Sequence, residues 1–263
     1  MSRVLPILFN TDMVRAILRE VNPKTATRRT IKGYIPDDAV WGYTAFTPKG
    51  YISCRGTFLE GYGEKFFKLP CQKGDILYVR ETWQYCYELD ENDQIIEGTG
   101  KYVYAASPED VPKFTEWVKD DGTHTDVMPW RPSIHMPKEA ARIWLKVTDV
   151  RVERLQDITP AQAVQEGVGN LFYEDIGYSD MDYGNPVDEE YGIVKEQFAW
   201  LWESTLKKTD LDRYGWEANP WVWVIEFERC EKPEESPYAW NDAIHEMTKE
   251  VQKQIGLRGG TPV

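Results

Sequence analysis

Arg142-Ile143-Trp144-Leu145-Lys146-Val147-Thr148-Asp149-Val150-Arg151-Val152-Glu153-Arg154-Leu155 is the longest strand signal in the chain. Ile143, Leu145 and Val147 alternate with Arg142, Trp144, Lys146 and Thr148. That period of two puts successive side chains on opposite faces of a sheet. Val150, Val152 and Leu155 continue the apolar series, but the phase slips by one residue after Val147, which predicts a bulge there.

Other strands lie on both sides. Gly74-Asp75 turns into Ile76-Leu77-Tyr78-Val79-Arg80, and Glu81-Thr82-Trp83 continues it. Trp221–Glu228 reads as a closing strand, with Trp221, Trp223, Ile225 and Phe227 on one face. Val4–Phe9, interrupted by Pro6, reads as an edge strand, and Lys101–Ala105 as another strand. Helices are fewer. Asn10, Thr11 and Asp12 are helix starters, and Val14, Ile17, Leu18 and Val21 keep helical spacing up to Asn22-Pro23. Thr159 caps a short helix that has Pro160 at its first position, runs to Glu166 and is stopped by Gly167. Phe198, Leu201, Trp202 and Leu206 share one side of a helix from about Val194. Strands dominate and do not alternate regularly with helices, so the predicted class is α+β with a small β-barrel rather than a doubly wound sheet.

Composition narrows the function classes. The 263 residues carry a net charge of −13, which argues against a surface built to neutralise a polyanion but leaves room for a local basic pocket. No apolar run of about 18 residues exists, so no membrane span is expected. The N-terminus has Asp12 and no proper apolar run followed by small residues, so no signal peptide is expected. Cys54, Cys71, Cys86 and Cys230 are scattered and read as free thiols of a reducing cytoplasm. His124, His135 and His245 lack metal-ligand spacing, and Asp180-Met181-Asp182 lacks the EF-hand pattern. There is no Gly-rich phosphate loop. No metal or cofactor is expected.

Long stretches interrupt the strand series. Residues 33–70 read as loops with short strands, and 84–140 as a second insertion whose part from 107 to 140 is an irregular excursion. Within 169–215, residues 169–192 hold seven acidic residues and no Lys or Arg, an acidic insertion that could act as a lid. The predicted domain spans 1–231. Residues 232–263 form a linker and a C-terminal helix whose apolar stripe is Trp240, Ala243, Ile244, Met247, Val251 and Ile255.

Chemistry concentrates in Lys24-Thr25-Ala26-Thr27-Arg28-Arg29 and in Glu166. A threonine hydroxyl is a poor nucleophile without a base to take its proton. A lysine serves as that base only when neutral, so its pKa must fall by roughly 3 units, or about 4 kcal/mol. Burial and the neighbouring Arg28 and Arg29 act in that direction, and a close carboxylate such as Glu166 acts against it. In a continuous strand Lys24 and Thr27 would face opposite ways, so they cooperate only if the backbone turns between them. The default reading of the motif is a solvated basic loop. Elsewhere, Arg80 and Glu81 read as an internal ion pair, with base-edge readout by Glu81 as the functional alternative. Trp83 is either core or a stacking platform. Ser133 and His135 sit in a Pro-bracketed loop, where His135 is a packed histidine, a ligand contact or a general acid.

Four stretches, in order, resemble the ASCH domain of the PUA-like superfamily. They are Lys-Thr-x-Thr-x-Arg at 24–29 after a strand and helix, Gly74–Val79, Ile158–Gly167 and Trp223–Phe227. Val79-Arg80-Glu81-Thr82-Trp83, Pro132–Pro137 and Asn219–Trp223 are similar in style to phage and prophage ASCH-like proteins, over roughly residues 5–230. Small bacterial members are 4-acetylcytidine amidohydrolases. The resemblance implies a PUA-like barrel, Thr27 as nucleophile, Lys24 as base, Glu166 as the group orienting the lysine, and Arg29 at a family arginine. Arg28 departs from the pattern, standing where the small enzymes have an apolar residue, and would favour a phosphorylated substrate. Substrate-binding candidates are then Arg28, Arg29, Arg80, Glu81, Trp83, Ser133 and His135. Two other classes stand beside the enzyme. One is a non-catalytic reader of RNA or a modified base. The other is a phage accessory protein that binds a host protein through the acidic insertion or the C-terminal helix.

Overall fold

The computed structural model describes residues 2–88, 90–92, 94–111, 117–118, 123–125, 127–168 and 188–234. Among these, β1 (Val4–Leu8), α1 (Thr11–Leu18), β2 (Ala26–Thr30), β3 (Val40–Gly42), β4 (Tyr51–Phe58), β5 (Gly61–Lys68), β6 (Ile76–Arg80), β7 (Trp83–Cys86) and β8 (Lys101–Tyr104) come first. There follow β9 (Trp117–Val118), β10 (His124–Thr125), β11 (Trp144–Arg154), α2 (Pro160–Gln165), α3 (Asp188–Ser204), α4 (Leu211–Tyr214) and β12 (Trp221–Cys230). The class is α+β, with several sheets and few helices. The chain divides into two units, Met1–Cys230 and Glu231–Val263. The acidic residues 169–187 and the C-terminal stripe from Trp240 to Ile255 lie outside the described residues.

The central sheet has the order β1-β6-β11-β12-β2, with β1 and β6 parallel and every other pair antiparallel. The bulge predicted after Val147 is present, as a register shift against β12 between Val147 and Asp149. Its effect is physical. Leu145 and Val147 before it, and Val150 and Val152 after it, all belong to one hydrophobic core. Without the extra residue the second pair would point to the opposite face.

β12 is covered on both faces. Trp223, Ile225 and Phe227 join that core with Phe9, Val14 and Ile17. Val222 and Val224 pack on the other side with Leu155, Ile158, Ala163, Phe198, Leu201 and Trp202. β2 inherits this division through its register. Thr27 pairs with Ile225 and Arg29 with Trp223, while Arg28 pairs with Val224. Arg28 therefore faces the second core and its neighbours Thr27 and Arg29 face the first.

The expected barrel does not close. β1 and β2 are edges of an open sheet. The residues leading into β2 commit their backbone bonds to helices instead of to β1. The Lys24 N–H donates to Ala16 O at 2.9 Å and the Thr25 N–H to Gln165 O at 2.9 Å. A side chain spans the seam: Arg29 Nη2 donates to Leu8 O at 2.7 Å.

Smaller differences have local causes. α1 stops at Leu18 rather than near Asn22, because Arg19 turns extended (φ −59°, ψ 145°), and Val21 is exposed. Residues 33–70 hold a three-stranded sheet, β3-β4-β5, with strands longer than expected. α3 begins at Asp188, before the expected start near Val194.

Candidate functional site

α2 delivers the carboxylate. Thr159 accepts from the Gln162 N–H and Gln162 Oε1 accepts from the Thr159 N–H, a reciprocal capping box with Pro160 at the first position. Glu166 is the C-cap and Gly167 follows at φ +93°, a conformation that favours glycine. A Cβ on Gly167 would lie 2.8 Å from the Ala16 Cβ and 3.5 Å from the Lys24 Cβ. This close approach presses Glu166 against the segment carrying Lys24.

Lys24 Nζ donates to Glu166 Oε2 at 2.7 Å and to Glu166 O at 2.8 Å, and its side chain is 0% exposed. Arg28 is equally enclosed. Its Nη1 donates to Glu166 Oε1 at 3.2 Å, and its Nη2 to Glu153 Oε2 at 3.0 Å and Gln162 Oε1 at 3.3 Å. Its Nε is buried and has no partner among the described residues. The charge chain continues outward. Arg151 binds Glu153, Glu226 and Asp149, so the buried pair is wired to partly exposed carboxylates on the same sheet.

The Phe9 ring lies beneath two of the cations, 5.9 Å from Lys24 Nζ and 5.2 Å from the Arg29 guanidinium. Burial pushes the Lys24 ammonium below its ordinary range, Glu166 pulls it back, and Arg29 and Arg28 push it down again. Arg29 is likewise lowered by burial against an upward pull from Glu166. Thr27 is buried, and among the described residues its hydroxyl has no hydrogen-bond partner. Because β2 begins at Ala26, strand alternation does not dictate the direction of Lys24.

Comparison of the chain with protein-family models, curated proteins and solved structures finds no match in any of the three. The site is therefore read from its own geometry.

The remaining candidates separate into two groups. Arg80 adjoins the first site through the backbone, since the Phe9 N–H donates to Arg80 O at 3.1 Å. The expected Arg80–Glu81 pair is absent, because alternation sends the two side chains apart. Arg80 instead donates to the carbonyls of Ile134 and Met136, fixing the turn that holds Ser133 and an exposed His135. Glu81 is buried and accepts from Arg142 Nε at 2.9 Å and Nη2 at 3.0 Å. Burial raises its carboxyl above the usual range while Arg142 pulls it down. Trp83 is core, packed with Tyr104, Met136 and Trp144. No contact joins Glu81, Trp83, Ser133 or His135 to Lys24 among the described residues.

Sequence reasoning missed Gln162, Glu153, Phe9 and Arg142. Gln162 was visible as the third helical residue after a threonine cap. Glu153 was visible as the face of β11 opposite Val150 and Val152. All four cysteines are free. Burial pushes Cys54 up to about 11 and Cys71 up to about 12, so neither is a nucleophile at neutral pH.

Proposed function

We propose that this chain is an ASCH-type, PUA-like amidohydrolase acting on an N-acylated or otherwise modified cytosine nucleoside or nucleotide. The observation that carries the reading is the buried Lys24–Glu166 pair, with Lys24 three positions before a buried Thr27 whose hydroxyl has no hydrogen-bond partner among the described residues. A neutral Lys24 amine can keep both bonds to Glu166 with its two N–H groups, leaving its lone pair for a proton. Burial and the two arginines favour that neutral form.

In the proposed reaction Thr27 Oγ1 attacks the acyl carbonyl and its proton passes to Lys24. The tetrahedral intermediate collapses as the C–N bond breaks, and the cytosine amino group leaves with that proton. Water then hydrolyses the threonyl ester, releasing the carboxylic acid and restoring the hydroxyl. Glu166 holds Lys24 in place and stabilises the ammonium that forms between the steps.

A second reading is a non-catalytic module binding RNA or a modified base. The orphaned Arg28 Nε favours it, because a ligand oxygen would satisfy that buried donor. Hydrolysis of 4-acetylcytidine and its monophosphate, followed by chromatography, tests the first reading. Wild type is expected to release cytidine or its monophosphate, and Thr27→Val, which is nearly isosteric, is expected to release none. Product from Thr27→Val, or none from wild type, would overturn the hydrolase reading. Binding of cytosine nucleosides and RNA at two salt concentrations would then test the module.

A further inference from the structure

A pocket of about 430 Å³ opens elsewhere in the same unit, and none of Lys24, Thr27, Arg28 and Glu166 lines it. Three segments build it: the connection between β3 and β4, the turn before β6, and β11 just after its bulge. Each is pinned. The Thr44 N–H donates to Thr47 Oγ1 at 2.8 Å, the Leu69 N–H to Gly50 O at 2.9 Å, and the Gly74 N–H to Val147 O at 2.8 Å. The walls are thus formed before any ligand arrives, and the volume is in the range of small-molecule sites.

The lining is chemically selective. Lys49 and Lys73 are exposed and have no carboxylate partner among the described residues, in a chain of net charge −13. Two unpaired ammonium groups at one mouth suit a phosphate. Tyr43 and Tyr51 offer rings on which a base can stack. The Gln72 amide makes no side-chain hydrogen bond among the described residues, and its Nε2 would be 3.4 Å from a Cβ on Gly50, so it lies along the lining. Asp149 uses Oδ2 on Arg151 at 3.0 Å, and its Oδ1 makes no hydrogen bond among the described residues, an acceptor suited to an exocyclic amine.

We infer that this pocket binds a nucleoside monophosphate whose base carries an exocyclic amino group. The phosphate sits between Lys49 and Lys73, the base lies against Tyr43 or Tyr51, and Asp149 Oδ1 accepts from the amine. The inference does not rest on catalysis at Lys24.

Isothermal titration calorimetry with CMP, UMP, cytidine and inorganic phosphate tests it on the full chain. CMP is expected to bind with a Kd below about 1 mM, and cytidine, phosphate and UMP about tenfold more weakly or worse. Lys49→Ala/Lys73→Ala is expected to weaken CMP about tenfold or more, and Asp149→Asn to erase the preference for CMP over UMP. Phosphate binding as tightly as CMP, or CMP binding unchanged in the double lysine variant, would overturn the inference. So would CMP binding that disappears only in Lys24→Met, since that places the ligand at the other site.

Discussion

Lys24 and Glu166 are joined twice, Nζ to Oε2 at 2.7 Å and Nζ to the backbone O at 2.8 Å, across 142 positions of sequence. Glu166 also serves Arg28, so one carboxylate answers two enclosed cations. That asymmetry orders the consequences of breaking the cluster. Removing one partner of a buried pair costs about 3–5 kcal/mol. Lys24→Met leaves Glu166 with Arg28, whereas Glu166→Gln leaves both cations short of charge. Urea unfolding is expected to rank Glu166→Gln as more destabilised than Lys24→Met. The reverse order would show that the Arg28 contact does not share in the stabilisation.

Thr27→Val separates folding from chemistry. Thr27 is buried and its hydroxyl makes no hydrogen bond among the described residues, so removing it is expected to change unfolding free energy by less than about 0.5 kcal/mol in either direction. Amidohydrolase activity is expected to vanish. A loss of activity accompanied by a large drop in melting temperature would assign Thr27 to structure.

Gly167→Ala tests the close approach that places Glu166. The substitution puts a Cβ at 2.8 Å from Ala16 and forces a side chain into φ +93°. A cost of about 2 kcal/mol or more is expected from strain plus overlap. Adding Ala16→Gly removes the overlap but not the strain, so the double variant is expected to melt above Gly167→Ala and below wild type. No recovery in the double variant would show that the two residues do not press on one another.

Asp75 gives the fold an acid-sensitive tether. Burial pushes its carboxyl up, but bonds from the Arg3 side chain and from the Arg3 and Gln72 N–H groups outweigh that and hold it below the usual range. A depressed carboxyl stabilises the folded state fully above its ordinary unfolded value. That stability is lost as pH falls through the lower folded value. Asp75→Asn is expected to lower the melting temperature at pH 7 and to flatten its fall in the window below about pH 4. An unchanged acid slope in Asp75→Asn would contradict the assignment.

The local elements were legible where a short stretch carries its own physics. The slip after Val147 announced the bulge, because apolar side chains must return to one face. Thr159-Pro160 and Gly167 marked the ends of α2, because capping is a matter of neighbours. β5 was not legible: most of its residues are exposed, so no alternation of polarity marks it, and it is held by its pairing with β4. The Arg80–Glu81 pair was a misreading of adjacency, since neighbouring strand residues face opposite ways and Glu81 found Arg142 instead.

The sequence by itself determined the α+β class, the strand series and the basic motif at 24–29, because periodicity, caps and charge are local properties. Only the tertiary structure decided that the sheet stays open and that Glu166 is shared by Lys24 and Arg28. It alone left the Thr27 hydroxyl without a partner among the described residues and brought Lys49, Lys73 and Asp149 around one pocket. Those relations join residues far apart in the chain. They depend on which backbone groups α1 and α2 satisfy and on which side chains lose water together, and no local pattern encodes either.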